Sequence, residues 1–266
     1  MEMPMKKAIK LKIDTSKTPE EIGIFDSKIG GTGYFKEGGT IPSEESGDQL
    51  RLLAQINFTD LRQKVELPSE LNEKLPKSGL LQFWVSMDDC SGCDLGSIKK
   101  QSVQNGFRVI YYDDSELTQW SSDKDIFKKA EKSTQYDEDE LFPVIGNKEY
   151  AVTYEVVDSE YIDYSEFDEK YSEEERNAIY KREIGHKIGG YPYFVQYDPR
   201  EDYADELEEL GDKNNYDFLI LQLDSDFIDG KDIIIWGDAG CSQFLISSEN
   251  LKKLNFSDVL YNWDCG

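Results

Sequence analysis

Two stretches of this chain, 159 residues apart, carry nearly the same string. Lys28-Ile29-Gly30-Gly31-Thr32-Gly33-Tyr34-Phe35 and Lys187-Ile188-Gly189-Gly190-Tyr191-Pro192-Tyr193-Phe194 agree at six of eight positions. Two further matches follow in the same order. Leu52-Leu53-Ala54-Gln55-Ile56 answers Leu219-Ile220-Leu221-Gln222-Leu223, and Gly79-Leu80-Leu81-Gln82-Phe83 answers Gly240-Cys241-Ser242-Gln243-Phe244, at offsets of 167 and 161. Three matches at nearly constant offset point to an internal duplication, with the drift absorbed by loop insertions. The chain is therefore expected to fold as one unit, 1–266, of two tandem, similar halves, approximately 20–136 and 137–266.

Within each half a Gly-Gly loop precedes two short apolar runs. Leu50–Ile56, Leu80–Val85, Phe218–Leu223 and Asp232–Trp236 read as strands buried on both faces. Phe107–Tyr111 and Tyr150–Val156 are rich in aromatic and β-branched residues and also read as strands. Helices are fewer. Ser172-Glu173-Glu174-Glu175 is a capping box opening a helix to about Arg182. Asp198-Pro199 is an N-cap with proline at the first helical position, predicting a helix to Leu210 that Gly211 ends. Ser248–Leu254 and Asp125–Lys132 are shorter helices, 36–48 and 88–100 are loops, and 134–140 is the seam. The fold class is α+β: mostly antiparallel sheet with a few short helices.

The charge is uneven. The net charge is −25, of which residues 137–266 carry −22. Such a field disfavours nucleic acid and anionic membrane surfaces and favours a basic protein partner or plain solubility. Between Asp198 and Asp217 nine acids stand against Arg200 and Lys213. The first residues lack the apolar core of a signal peptide, and no run suits a membrane helix, so a cytoplasmic monomer is expected.

No stretch spells out a reaction. The glycine pairs fit neither a P-loop nor a dinucleotide fingerprint and are better read as tight turns. His186, the single histidine, sits beside a glycine turn where exposure and titration near neutral pH are open to it. It has no nucleophile elbow to serve. Cys90-Ser91-Gly92-Cys93 lacks the second pair zinc needs and the helix start a redox thiol needs, which favours a passive loop. Asp224–Gly230 fails the register of a calcium loop, and Asp229-Gly230 suits a hairpin turn. Trp236-Gly237-Asp238-Ala239-Gly240 is a second candidate site, although Asp238 also suits a turn. No catalytic residue, metal ligand or cofactor is assigned. The candidates for ligand or partner binding are His186, Lys187, Tyr191, Tyr193, Asp198, Arg200, Trp236 and Asp238.

Taken together, His186–Pro192, Leu52–Ile56, Gly79–Phe83, Leu221–Asp224 and Trp236–Gly240 resemble the YwqG family, a bacterial domain of unknown function, across about Ser27 to Trp263. The resemblance implies two similar antiparallel halves and no established active site. The proline of the second Gly-Gly loop has no counterpart in the first. Members of that family are often encoded near toxin and antitoxin genes, which implies an immunity-type or other partner-binding role. The expected function is thus binding through an acidic second half. The alternative is a hydrolase or small-ligand enzyme with a cleft between the halves, using His186, Asp238 and nearby tyrosines. Metal storage on surface carboxylates is a third reading, and no ligand spacing supports it.

Overall fold

The first strand, β1 (Lys6–Asp14), shows what builds this molecule. From Ile9 to Ile13 apolar residues alternate with Lys10 and Lys12, the period of a strand with two unlike faces. It lies at the centre of the sheet, paired antiparallel along its whole length with β6 (Glu149–Ser159), from Lys6 opposite Ser159 to Asp14 opposite Ala151. A computed structural model of the chain describes residues 4–36, 38–117, 142–162, 167–210 and 215–266. The expected helix Asp125–Lys132, the seam at 134–140 and the cap Gly211 lie outside the described residues.

The remaining strands are β2 (Lys28–Gly30), β3 (Arg51–Asn57), β4 (Leu80–Val85), β5 (Phe107–Tyr112), β7 (Lys187–Gly189), β8 (Phe218–Asp224), β9 (Asp226–Ile228), β10 (Lys231–Ile234), β11 (Cys241–Ile246) and β12 (Leu260–Asp264). Among the described residues, ten of these strands form one antiparallel sheet in the order β12-β11-β8-β7-β1-β6-β2-β3-β4-β5. Outward from the central pair, one wing runs β1-β7-β8-β11-β12 and the other β6-β2-β3-β4-β5. Neither stretch of sequence keeps to its own wing. The N-terminal strand completes the second stretch's sheet, and β6 completes the first's.

The sheet curls until its edges approach, nearly closing a barrel. One apolar cluster takes residues from every strand of the large sheet, including Ile9, Ile29, Ile56, Phe83, Phe107, Val152, Ile188, Leu221, Phe244 and Tyr261. Phe244 of β11 meets Phe83 of β4 and Phe107 of β5 at ring-centroid distances of 4.9 and 6.1 Å, so the two wings share one interior. Side chains fill the gap between the edges: Gln101 donates to Asn262 Oδ1, and Gln104 bridges the Val109 amide and the Phe256 carbonyl.

Short helices cover the barrel: α1 (Phe58–Lys64), α2 (Ser69–Lys74), α3 (Ile98–Gln101), α4 (Phe167–Lys170), α5 (Glu173–Glu183), α6 (Pro199–Asp202), α7 (Ala204–Leu210) and α8 (Ser248–Lys252). The capping box opening α5 forms as read, Ser172 accepting from the Glu175 amide. Two expectations are corrected. The acidic helix from Asp198 is two helices, because Tyr203 leaves helical geometry at φ −112°, ψ 39°. Asp232–Trp236 is not a strand buried on both faces: Lys231 and Asp232 are exposed, and β10 pairs with β9 in a hairpin outside the large sheet, with one further bridge from Ile234 to Val144. That hairpin turns at Asp229-Gly230 with positive φ at both residues (51° and 79°), the geometry its sequence predicts. Among the described residues no helix is long and apolar enough to cross a membrane.

Candidate functional site

The matched sequence strings become one register row across each wing, with buried polar residues at its centre. In the second wing, Lys10, Lys187, Gln222, Gln243 and Asn262 are successive register partners from β1 to β12. In the first wing, Ala151, Lys28, Gln55, Gln82 and Ile110 occupy the same sequence of strands from β6 to β5. The loop after each Gly-Gly turn folds back over this row. Gln55 accepts from the Tyr34 amide at 3.1 Å, and Gln222 accepts from the Tyr193 amide at 2.8 Å. Gln82 donates to the Tyr34 carbonyl at 2.8 Å, and Gln243 to the Tyr193 carbonyl at 2.7 Å. A buried amide is tolerated only when so satisfied, so these glutamines fix where each loop lies. The glycine pairs are turns, with φ between 69° and 74° at Gly30, Gly31, Gly189 and Gly190.

Lys187 belongs to this scaffold. It is fully buried and pairs with Glu183 at 2.7 Å, while Glu183 also accepts from the Ser159 hydroxyl and the Glu160 amide, each at 2.7 Å. Burial lowers the Lys187 pKa, against the raising pull of Glu183. Lys28 pairs with Glu149 at 2.6 Å in the first wing. Tyr193 is fixed at both its backbone groups, and burial raises its phenol to about 12.

His186 is not exposed, contrary to the reading from its glycine neighbour; only 4% of it reaches solvent. Its Nδ1 accepts the Asp224 amide at 3.1 Å, so Nε2 carries the hydrogen and donates to Asp226 at 3.2 Å. That bond is the largest cause of the lowered Asp226 pKa. With both nitrogens engaged, the ring ties β7 to β8 and β9 and offers no lone pair to a substrate.

Trp236 is buried against Trp263, ring centroids 5.9 Å apart, whereas Asp238 is exposed in a turn closed by the Gly240 amide donating to the Trp236 carbonyl at 2.7 Å. His186 and Asp238 thus differ in burial, and neither lines the cavity that three other candidates share. All four cysteines are free; Cys93 is buried, its Sγ donating to the Tyr261 carbonyl, and its pKa is pushed up to about 12 by burial. Among the described residues no group of three or more His, Cys, Asp or Glu side chains converges as a metal site.

Three candidates do converge. Tyr191, Asp198 and Arg200 line a surface cavity of about 390 Å³, together with Tyr161, Ile162, Pro192, Phe194, Gln196, Tyr197, Glu201 and Asp202. It lies where the chain leaving β6, the loop after β7 and the start of α6 meet. Its walls are held. The Tyr191 amide donates to Ser159 Oγ at 2.9 Å and its hydroxyl to the Pro4 carbonyl at 2.7 Å. Gln196 is bound through its amide to Asp264 at 2.7 Å and through its side chain to the Cys265 carbonyl at 2.6 Å. Asp198 caps α6 and grips the Arg200 guanidinium, Nε–Oδ1 2.9 Å, while Arg200 Nη1 donates to the Tyr216 carbonyl at 3.1 Å. Burial raises the phenol pKa of Tyr191 and of Tyr197, and nearby carboxylates add to both, Glu70 and Glu183 at Tyr191 and Asp202 at Tyr197. The sequence marks Tyr191, Asp198 and Arg200 but not Tyr161 and Tyr197, whose one signal is the density of tyrosines on either side of α5.

No curated protein matches the chain. The profile of the DUF1963 family, a domain of unknown function, matches residues 27–265, and the chain belongs to that family.

Proposed function

We propose that this DUF1963 protein is a binding protein whose acidic second half engages a basic protein. One observation carries the reading. The side chains best suited to catalysis, His186, Lys187 and Glu183, are spent inside the scaffold, whereas the surface cavity that Tyr191, Asp198 and Arg200 share is walled by tyrosines and rimmed by Asp198, Glu201 and Asp202. Beside that rim, α7 adds Asp205, Glu206, Glu208 and Glu209. Glu206 accepts from Ser97 and Glu209 pairs with Lys99 at 2.6 Å, which docks α7 on the other wing. Asp205 and Glu208 are exposed, so the face left for a partner stays acidic. Such a surface speeds encounter with a cationic protein and loses its effect in salt.

The resemblance to the YwqG family fits an immunity-type role within this reading. We also infer that the wings are copies of one ancestral module; the equivalent strand order and the equivalent glutamine contacts support it. The test of function is affinity capture from lysate at rising salt, followed by titration of each purified partner against wild type and against Asp205→Lys/Glu208→Lys. A partner that weakens with salt and with charge reversal supports the reading. Partners indifferent to both would remove its basis.

A further inference from the structure

The cavity beside α6 has walls that narrow the chemistry of its occupant. Four of its lining residues are aromatic, Tyr161, Tyr191, Phe194 and Tyr197, and Tyr161 meets Tyr191 edge to face with centroids 5.5 Å apart. One of these rings already holds an ammonium: Lys6 Nζ stands 4.2 Å from the Tyr191 ring centroid. Electron-rich ring faces attract cations, more strongly where water is partly excluded. The charged lining residues are Asp198, Glu201, Asp202 and Arg200. Arg200 presents no open fork to an anion, because Nε and Nη2 face Asp198 and Nη1 faces the Tyr216 carbonyl. An anionic guest would therefore meet a committed Arg200 and the exposed carboxylates of Glu201 and Asp202, and those two carboxylates are open to a cationic guest. At about 390 Å³ the cavity exceeds one ammonium and suits a larger organic cation.

We propose that this cavity receives an arginine side chain of a basic protein segment, its guanidinium set against Tyr197 and the carboxylates of Glu201 and Asp202. Arginine is chosen over lysine because its planar cation stacks on rings and can bond a carboxylate at the same time. Tyr197 is 43% exposed and stands ready to stack. Pinning of Tyr191, Gln196 and Asp198 by the bonds described above means little ordering is left for the binding step. The inference rests on the binding reading and makes it specific to one site.

The experiment titrates the full chain by calorimetry with a nine-residue Gly/Ser peptide bearing a central arginine. The same peptide with lysine, and Nα-acetylarginine amide, are the comparators. Wild type is expected to prefer the arginine peptide. Tyr197→Ala should weaken it by roughly three- to tenfold, and Tyr197→Phe should restore it. Glu201→Lys/Asp202→Lys should weaken it by about tenfold or more, and Glu208→Lys, outside the cavity, by less than about twofold. Unchanged thermal midpoints establish that each variant is folded. If Glu208→Lys weakens binding as much as the rim pair and Tyr197→Ala does nothing, the acidic face binds but the cavity does not, and only this inference falls. Wild type failing to bind the peptide while still capturing salt-sensitive basic partners likewise overturns this inference alone. If Nα-acetylarginine amide binds as tightly as the peptide, the cavity serves a free small cation, and the protein origin of the guest is overturned.

Discussion

Removing Glu183 tests the buried scaffold most sharply. Lys187 and Glu183 side chains are 0% and 2% exposed and stand 2.7 Å apart. In Glu183→Leu the Lys187 amine loses its counter-ion while remaining sealed, and its escape is to shed its proton. Neutralising a lysine of ordinary pKa at pH 7 costs about 4.6 kcal/mol, from about 3.4 pH units at about 1.36 kcal/mol each. The Ser159 hydroxyl and Glu160 amide also lose their acceptor, so a loss of about 4 to 6 kcal/mol is expected. For a chain of this size that is a fall of roughly 10 °C or more in thermal midpoint. The cost has a signature in pH. Between pH 7 and 10 the unfolded variant holds a proton that the folded variant lacks, so its stability rises relative to wild type by about 1.4 kcal/mol per pH unit. Lys187→Met removes the trapped charge, and Glu183→Leu/Lys187→Met should recover at least half of the single-variant loss. Urea unfolding at pH 7, 8 and 9, each variant read against wild type at the same pH, measures all of this. A penalty flat in pH, or a double variant equal to the sum of the singles, would refute the assignment of Lys187 as a charge held by Glu183.

Two more outcomes follow from the same wing. A β-carbon on Gly190, at φ +73°, would lie 2.5 Å from Ser159 Oγ and 2.9 Å from Ala8 Cβ, whereas one on Gly230, at φ +79°, meets nothing within 4 Å. Gly190→Ala should therefore cost about 2 to 4 kcal/mol in urea unfolding and Gly230→Ala about 1 kcal/mol. Lys10, opposite Lys187, has its pKa lowered to about 8, first by burial and then by Lys187. The folded state binds that proton less well than the unfolded state, so Lys10→Met should raise the thermal midpoint at pH 7. The advantage should fade from pH 8 to about 10.5, where both states of wild type lose the proton.

Much of the fold is legible because the chain repeats its own instructions. The glycine pairs announce turns, Gln55 and Gln222 fall within buried strands, and Ser172 and Asp198 mark helix starts. Strand β1 is masked by its own charges: Lys6, Lys7, Lys10 and Lys12 draw the eye from the alternation of Ile9, Leu11 and Ile13 between them. The buried state of His186 is hidden as well, since its partners are the Asp224 amide and Asp226, about 40 positions away in sequence. Helix α6 ends at Tyr203 although its sequence continues in helix-forming residues. There Tyr203 and Leu207 pack against the cluster of Ile98, Phe194 and Tyr216. The cavity is half legible. Tyr191, Asp198 and Arg200 fall within one short string, but Tyr161 reaches it from the end of β6, which no local pattern declares.

The crossing of β1 and β6 into opposite wings has a consequence for how the chain is made. Emerging N-terminal first, β1 has no neighbour until residues 149–159 and 187–189 follow it, whereas β2 to β5 have one another and only the outer edge of β2 waits for β6. The central pair, and with it the joining of the two wings, therefore forms only after more than half of the polypeptide exists. The same crossing acts as a latch. A single cut between Leu117 and Phe142 would leave two pieces, each gripping a strand lent by the other, and they should part only when the whole barrel melts.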